Sequence, residues 1–284
     1  MPLRLSTRKP IGEAIARAMG REFDIAIAAL EVPTDAGAAV LEARKRLKKI
    51  RALRRLVREF PAQEDAADRQ LRNILRRLSS ARDADARLDA LRDLGHQFPT
   101  IITDEIAARV IVALGPERQR VDVRVPELVK RSLRQIQKLR EPLLADARRM
   151  RQAHHATSQL LDDYLKAREA TTLLTRESHA LDFHAWRQRV KRHAYHLQLF
   201  EGTRARLKRT AQLKRLEEWL GQEHDLVVLR SALLGQRREA ADLRATALVL
   251  GAAILLQTSL RRRAVALGRK LFAEPPPRFH GLEG

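Results

Sequence analysis

Apolar residues recur along this chain at steps of three and four with charged residues between them, the spacing of amphipathic helices rather than strands. Alternation of β-branched residues is confined to VDVRV, Val121 to Val125. The pattern predicts an all-α helical bundle with helices at about 11–31, 36–60, 64–79, 81–94, 103–113, 127–155, 157–173, 181–203, 206–220, 222–234 and 238–272. The breaks fall at Pro33-Thr34-Asp35, Pro61, Gly95 to Pro99, Gly115-Pro116, Gly202 and Gly221, residue types that end helices or open caps. The closing EPPPRFHGLEG is expected to be a mobile tail.

One predicted helix sorts its charge from its apolar residues. In Leu41 to Phe60, LEARKRLKKIRALRRLVREF, Arg44, Lys48, Arg51 and Arg55 follow at steps of four, three and four, which stacks them in one stripe beside Lys45. Ile50, Leu53, Val57 and Phe60 fall on the far side. Like charges so stacked repel by roughly a few tenths of a kcal/mol per pair, so something negative is expected over the stripe. A solvated basic face is the plainer alternative.

A second copy favours the ligand. Phe183 to Phe200, FHAWRQRVKRHAYHLQLF, repeats the pattern 143 residues on: Arg187 matches Arg44, Arg189 matches Arg46 and Lys191 matches Lys48. His184 stands where the first copy has Leu41. His184, Arg187, Lys191 and Tyr195 share a face, with Trp186, Val190, Leu197 and Phe200 opposite. The duplication continues at an offset of 142: Leu71 pairs with Leu213, Leu78 with Leu220, Arg82 with His224, Asp83 with Asp225 and Leu91 with Leu233.

The run His184-x-x-Arg187-x-x-x-Lys191, its echo in Arg44 to Arg51, the Arg82-Asp83 and His224-Asp225 steps and the closing ALGRKLFAEPPPRF together resemble the CHAD family, the conserved-histidine α-helical domain. The resemblance runs from roughly Glu13 to Phe279 and rests on the order and duplication of these motifs. It implies a pseudo-symmetric pair of four-helix units around a basic groove or channel that binds inorganic polyphosphate, in a domain found alone or beside a triphosphate-cleaving tunnel domain. On this chain the halves would be 1–114 and 127–274, joined by 115–126 and followed by the tail 275–284. The implied phosphate ligands are the two stripes together with Arg72, Arg76, Arg82 and His224; Arg17 on the opening helix and Arg168, near Lys166, are further candidates, as is Lys214. One position departs from the family: Leu41 replaces the first-half histidine, so a role needing both histidines is not carried over.

Composition widens the field before it narrows it. With 56 Lys and Arg against 35 Asp and Glu the net charge is +21, which favours polyanions of every kind: nucleic acid, acidic membranes, polyphosphate. The 284 residues allow one large domain or two moderate ones. The absence of cysteine excludes disulfides and thiolate metal sites and fits the cytoplasm, with polyphosphate granules as a candidate location. The N-terminal MPLRLSTRKPIGEAIARAMG carries no apolar run with a cleavage pattern, so no secretory signal is expected. The most apolar stretch, Ala245 to Leu260, is short for a membrane span, is interrupted by Gln257, Thr258 and Ser259, and reads as a buried core helix. Arg261 to Arg263 follow it without Trp or Tyr anchors, so no membrane partner is expected.

Acids and histidines leave alternatives. Ser80-x-x-Asp83 has capping-box spacing, and Gly221 marks the same break before Asp225; these acids either close helix N-termini or hold neighbouring guanidiniums in place behind the phosphate ligands. His193 and His196 have a metal-compatible spacing, but His193 lies on the apolar arc and reads as a core histidine; neither metal nor cofactor is expected. His184 should be pushed neutral by Arg187 and Lys191, and a bound polyanion would raise its pKa above about 6.5, both ring nitrogens then donating to phosphate oxygens. Its alternative is a bond to a backbone carbonyl at a helix start.

Three functions stand. The first is non-enzymatic binding of polyphosphate, whose flexible repetitive chain asks for a cationic groove with Arg as planar fork and Lys as point charge. The alternative is nucleic-acid binding; aromatic residues are only 4% and do not interleave with the stripe, so single-strand stacking lacks a platform while duplex binding by charge survives. The third, a polyphosphate hydrolase, lacks both a G-x-x-x-x-G-K-[ST] loop and a convergent Asp/Glu cluster. Under the first, both stripes should face one groove about a pseudo-twofold axis.

Overall fold

The computed structural model describes residues 11–31, 35–56, 66–122, 125–150, 153–197, 204–235 and 240–274, with side chains except at 80–85, 115–122, 153–157, 204–207 and 240–242. Among the described residues there are nine α-helices and no strand: α1 Ile11–Glu31, α2 Ala36–Leu56, α3 Ala66–Gln97, α4 Asp104–Asp122, α5 Val125–Arg148, α6 Ala153–Leu173, α7 Ala180–Leu197, α8 Arg204–Leu234 and α9 Ala240–Leu271. Side-chain caps fix several starts. The Asp35 carboxylate accepts from the amides of Gly37 at 2.8 Å and Ala38 at 3.3 Å, opening α2. Ahead of α7 the His179 amide donates to Asp182 Oδ2 at 3.1 Å, the acid's half of a capping box.

Three expected breaks are absent. The helices predicted at 64–79 and 81–94 are one helix, α3, and those at 206–220 and 222–234 are one helix, α8. Gly221 costs the helix about 1 kcal/mol relative to Ala, which tertiary packing overrides. Leu78 and Leu91 on α3, and Leu220 and Leu229 on α8, are buried on either side of the expected breaks. Helix α4 also continues through Gly115-Pro116 to Asp122, so most of the expected connection is helical; a glycine before proline lacks the Cβ that ordinarily clashes with the ring. Pro61, Gly202, Val57, Phe60, Phe200 and the tail 275–284 lie outside the described residues.

The helices enclose two apolar clusters. In the larger, Met19 and Phe23 of α1, Leu47 and Ile50 of α2, Leu71 and Ile74 of α3 and Ile136 and Leu143 of α5 join Tyr164 of α6, Trp186 and Val190 of α7 and Leu213 and Leu216 of α8. The smaller gathers Leu91 and Leu94 of α3, Val110 of α4, Leu226 and Leu229 of α8 and Val249 and Leu260 of α9. Helices α3, α8 and α9, of 32, 31 and 32 residues, contribute to both clusters; at 1.5 Å per residue each is about 47 Å long. Helix α5, on the second-half side of the sequence boundary, packs against α1 and α3.

Two helix surfaces bear on function. A Cβ on Gly268 of α9 would lie 2.4 Å from Trp186 Cζ2, so bare backbone is the seat of the indole, whose Nε1–H donates to Thr171 Oγ1 of α6 at 2.8 Å. Trp186 thus fixes the rotation of α7 and turns Arg187 and Lys191 away from the core. The apolar run of α9 is buried on one side only: Ala245, Val249, Ala252 and Ala253 are covered, whereas Leu243, Ile254 and Leu255 are exposed. Within α9, Leu243–Leu271 is long and apolar enough to cross a membrane by length and composition.

Candidate functional site

Helices α2 and α7 meet where the buried His196 Nε2–H donates to the Ala52 carbonyl at 2.8 Å, while His196 Nδ1 lies 2.5 Å from Asp163 Oδ2 of α6. Their polar faces, with those of α3 and α8, line a single cavity of about 1000 Å³. From α2 it receives Arg44, Lys45, Lys48, Arg51 and Arg55; from α7, His184, Arg187 and Lys191. Arg72 and Arg76 enter from α3, and His224 and Asp225 from α8. The two stripes therefore share one groove, whose lining holds twelve Lys and Arg against three carboxylates.

Two expected ligands are elsewhere. Arg17 is exposed on α1, which packs against α2 and α5 away from the groove, and Arg168 is half-buried on α6, beyond α7; neither lines the cavity. Arg82 and Asp83 belong to α3, but their side chains lie outside the described ones. The capping reading of the acid pair fails, because Asp83 and Asp225 sit within the continuous helices α3 and α8. Residues missed in the sequence include Lys49, Gln188, Arg192, Glu217 and Glu218. Lys49 and Arg192 were findable, since they occupy equivalent positions of the two repeats, one step past Lys48 and Lys191.

Carboxylates hold many of the lining cations. Arg51 makes two bonds of 3.0 Å to Asp68, Lys191 lies 2.7 Å from Glu217, Lys49 lies 3.4 Å from Glu22 and Arg192 lies 3.4 Å from Asp163. Lys48 is different. Burial, then the charges of Lys191, Arg44 and Arg187, lowers its pKa to about 7, with Glu217 only partly opposing them. Burial and neighbouring guanidiniums likewise lower Arg55 to about 10. Arg187 Nε is buried without a hydrogen-bond partner.

The histidines form a contact that linear sequence does not suggest. His184 Nδ1 lies 3.3 Å from His224 Nδ1, with ring centroids 4.6 Å apart, and His184 Nε2 lies 2.7 Å from the Gln188 amide nitrogen. With that amide donating, the network assigns the His184 proton to Nδ1, where it donates to His224 Nδ1 and leaves His224 Nε2 protonated. Both His184 nitrogens are thus engaged within the protein, and they reach phosphate oxygens only if Gln188 and His224 yield. Burial and then Arg187 lower the pKa of His184, and burial, Arg187, His184 and Lys48 lower that of His224 to about 4. Leu41, in the place of the first-half histidine, is an exposed apolar residue of the lining.

His193 is a core histidine, as expected: fully buried against Tyr164 and Phe272, its pKa falls to about 3, chiefly through burial. Among the described residues no group of three or more His, Asp or Glu side chains is placed to hold a metal ion.

Comparison with known proteins agrees with this architecture. The crystal structure of the CHAD domain from the plant Ricinus communis superposes with a TM-score of 0.73 at 18% identity, covering 97% of this chain and 96% of that one, which shows a shared fold. A comparison with curated proteins gives no match. The CHAD domain family matches residues 18–234, most of the chain and all four groove-lining helices, and the chain therefore belongs to the CHAD family.

Proposed function

We propose that the groove binds inorganic polyphosphate without cleaving it. The observation that carries this reading is Lys48: a half-buried ammonium beside Arg44, Arg187 and Lys191 is unfavourable in the free protein and becomes favourable once an anion lies among them. The lining supports a phosphate chain specifically through its composition. Guanidiniums from three helices offer forked donors for bridging and terminal oxygens, and the lysines add point charges that tolerate sliding of a repetitive ligand. Hydrolysis would need a general base to activate water and a metal or donor cradle for the leaving phosphate. Two of the three lining acids face lysines: Glu217 lies 2.7 Å from Lys191 and Glu218 lies 3.9 Å from Lys214.

Direct binding of size-graded polyphosphate against duplex DNA of equal charge, at one salt concentration, tests the proposal. The expected result is tighter binding of polyphosphate, with its chain length unchanged on gels after prolonged incubation. Equal or tighter binding of DNA would transfer the groove to the nucleic-acid reading, and shortened chains would make the protein a hydrolase.

A further inference from the structure

Behind the groove lies a buried polar cluster that touches none of its open space. Glu223, which immediately precedes His224 on α8, is buried, and its Oε1 accepts from Arg261 Nε at 2.9 Å and from the Gln257 amide at 2.8 Å, both on α9. The guanidinium of Arg261 also stacks over the Phe183 ring, 4.4 Å from its centroid, and donates to the Ser178 carbonyl at 2.9 Å. Ser178 precedes α7, and Phe183 precedes His184. One ion pair therefore grips the chain beside both members of the His184–His224 contact, and neither Glu223 nor Arg261 lines the cavity.

We infer that the Arg261–Glu223 pair is a positioning clamp: it holds the start of α7 against α8 so that His184 and His224 meet. The inference rests on the polyphosphate reading for its consequence, not for its geometry. His184 is faced by Arg187 of its own helix, by Lys48 of α2 and by Glu223 and His224 of α8; His224 is faced by Arg187 and His184 of α7 and by Lys48 of α2. Within this set Glu223 is the carboxylate, and it acts on His184 against Arg187 and Lys48. Without it His184 loses the one opposing charge in this set and is left, like His224, with Arg187 and Lys48 beside it.

Two variants of the full chain separate positioning from mere support, read by NMR titration of the imidazoles and by polyphosphate calorimetry at about pH 6 and about pH 8. Glu223→Gln removes the charge, and the His184 midpoint should fall while the affinity gained on acidification shrinks by about half. Arg261→Lys keeps both charges but loses the reach to Ser178 and the stacking on Phe183, so the rings separate, gain water, and His184 should move up toward about 6.5. Opposite shifts from the two variants support the clamp. Unchanged imidazole midpoints in variants that merely melt earlier would overturn it, and if Glu223→Gln does not fold, Arg261→Lys decides alone. Should the parent protein bind no polyphosphate, the proposed function falls, while the imidazole midpoints still judge the clamp.

Discussion

Lys48 is where the free groove works against its own fold. Its pKa is about 7 in the folded protein against 10.5 for an ordinary lysine, so between these values the unfolded chain binds more protons and stability rises with pH. The penalty is greatest below about pH 7 and vanishes above about pH 10.5. Lys48→Met should therefore raise the unfolding temperature at neutral pH by about 2 to 4 °C, lose that advantage near about pH 10, and weaken polyphosphate binding; thermal melts at the two pH values with a binding isotherm check all three. The same linkage reverses when ligand binds. A polyanion raises the pKa of Lys48, His184 and His224, the complex takes up protons, and affinity should strengthen as pH falls from about 8 to about 6. Because Lys48 shares the uptake, His184→Ala should reduce this dependence without erasing it. Calorimetry in two buffers of different ionisation enthalpy counts the protons, and absence of uptake, or equal uptake with DNA, would remove these residues from the site.

At the scale of elements, α2 and α7 act as a pair because each buries one face and presents the other to a shared space. A partly exposed ionic contact is worth about 0 to 1 kcal/mol, so single alanine substitutions in the stripes should weaken polyphosphate binding modestly. Charge reversal at Arg44, Lys48, Arg187 and Lys191 together should abolish it, as measured by equilibrium binding; a quadruple variant that binds like the parent would place the site elsewhere. The seat of Trp186 on Gly268 makes the orientation of α7 a packing property. Gly268→Ala forces the indole off the α9 backbone, for which we expect a loss of about 1 to 3 kcal/mol in urea unfolding and a red-shifted Trp emission. Unchanged emission would mean that α7 does not depend on this contact.

For the whole molecule, charge is the long-range term. The net charge of +21 draws in any polyanion, whereas the groove concentrates cations from four helices on one shared space. Each phosphate neutralised on duplex DNA contributes about −0.9 to the slope of log affinity against log salt. Polyphosphate binding should likewise fall steeply with salt in the parent protein, and the quadruple variant should retain only the shallow slope of diffuse attraction; a salt series on both proteins checks this. The apolar exposure of α9 is at Leu243, Ile254 and Leu255, beside the smaller cluster and apart from the groove lining, so polyanion binding leaves it uncovered.

Helical periodicity alone determined the all-α class, because side chains three and four apart share a face whatever surrounds them. The two basic stripes and the repeat linking Arg44 with Arg187 and Lys48 with Lys191 were legible for the same reason: they are relations along the chain. Helix continuity was not. Gly221 and Gly115-Pro116 carry local penalties of a few kcal/mol at most, which the burial of neighbouring leucines and the missing Cβ before proline outweigh. Only the tertiary structure decided which of many exposed-looking cations converge, excluding Arg17 and Arg168 and admitting Lys49 and Arg192, since a position on a helix does not say which helix lies opposite. It also decided the meeting of His184 with His224, forty residues apart, and their support by Glu223 and Arg261. Proton affinities depend on burial and on charges brought near through space, and neither quantity exists until the helices have packed.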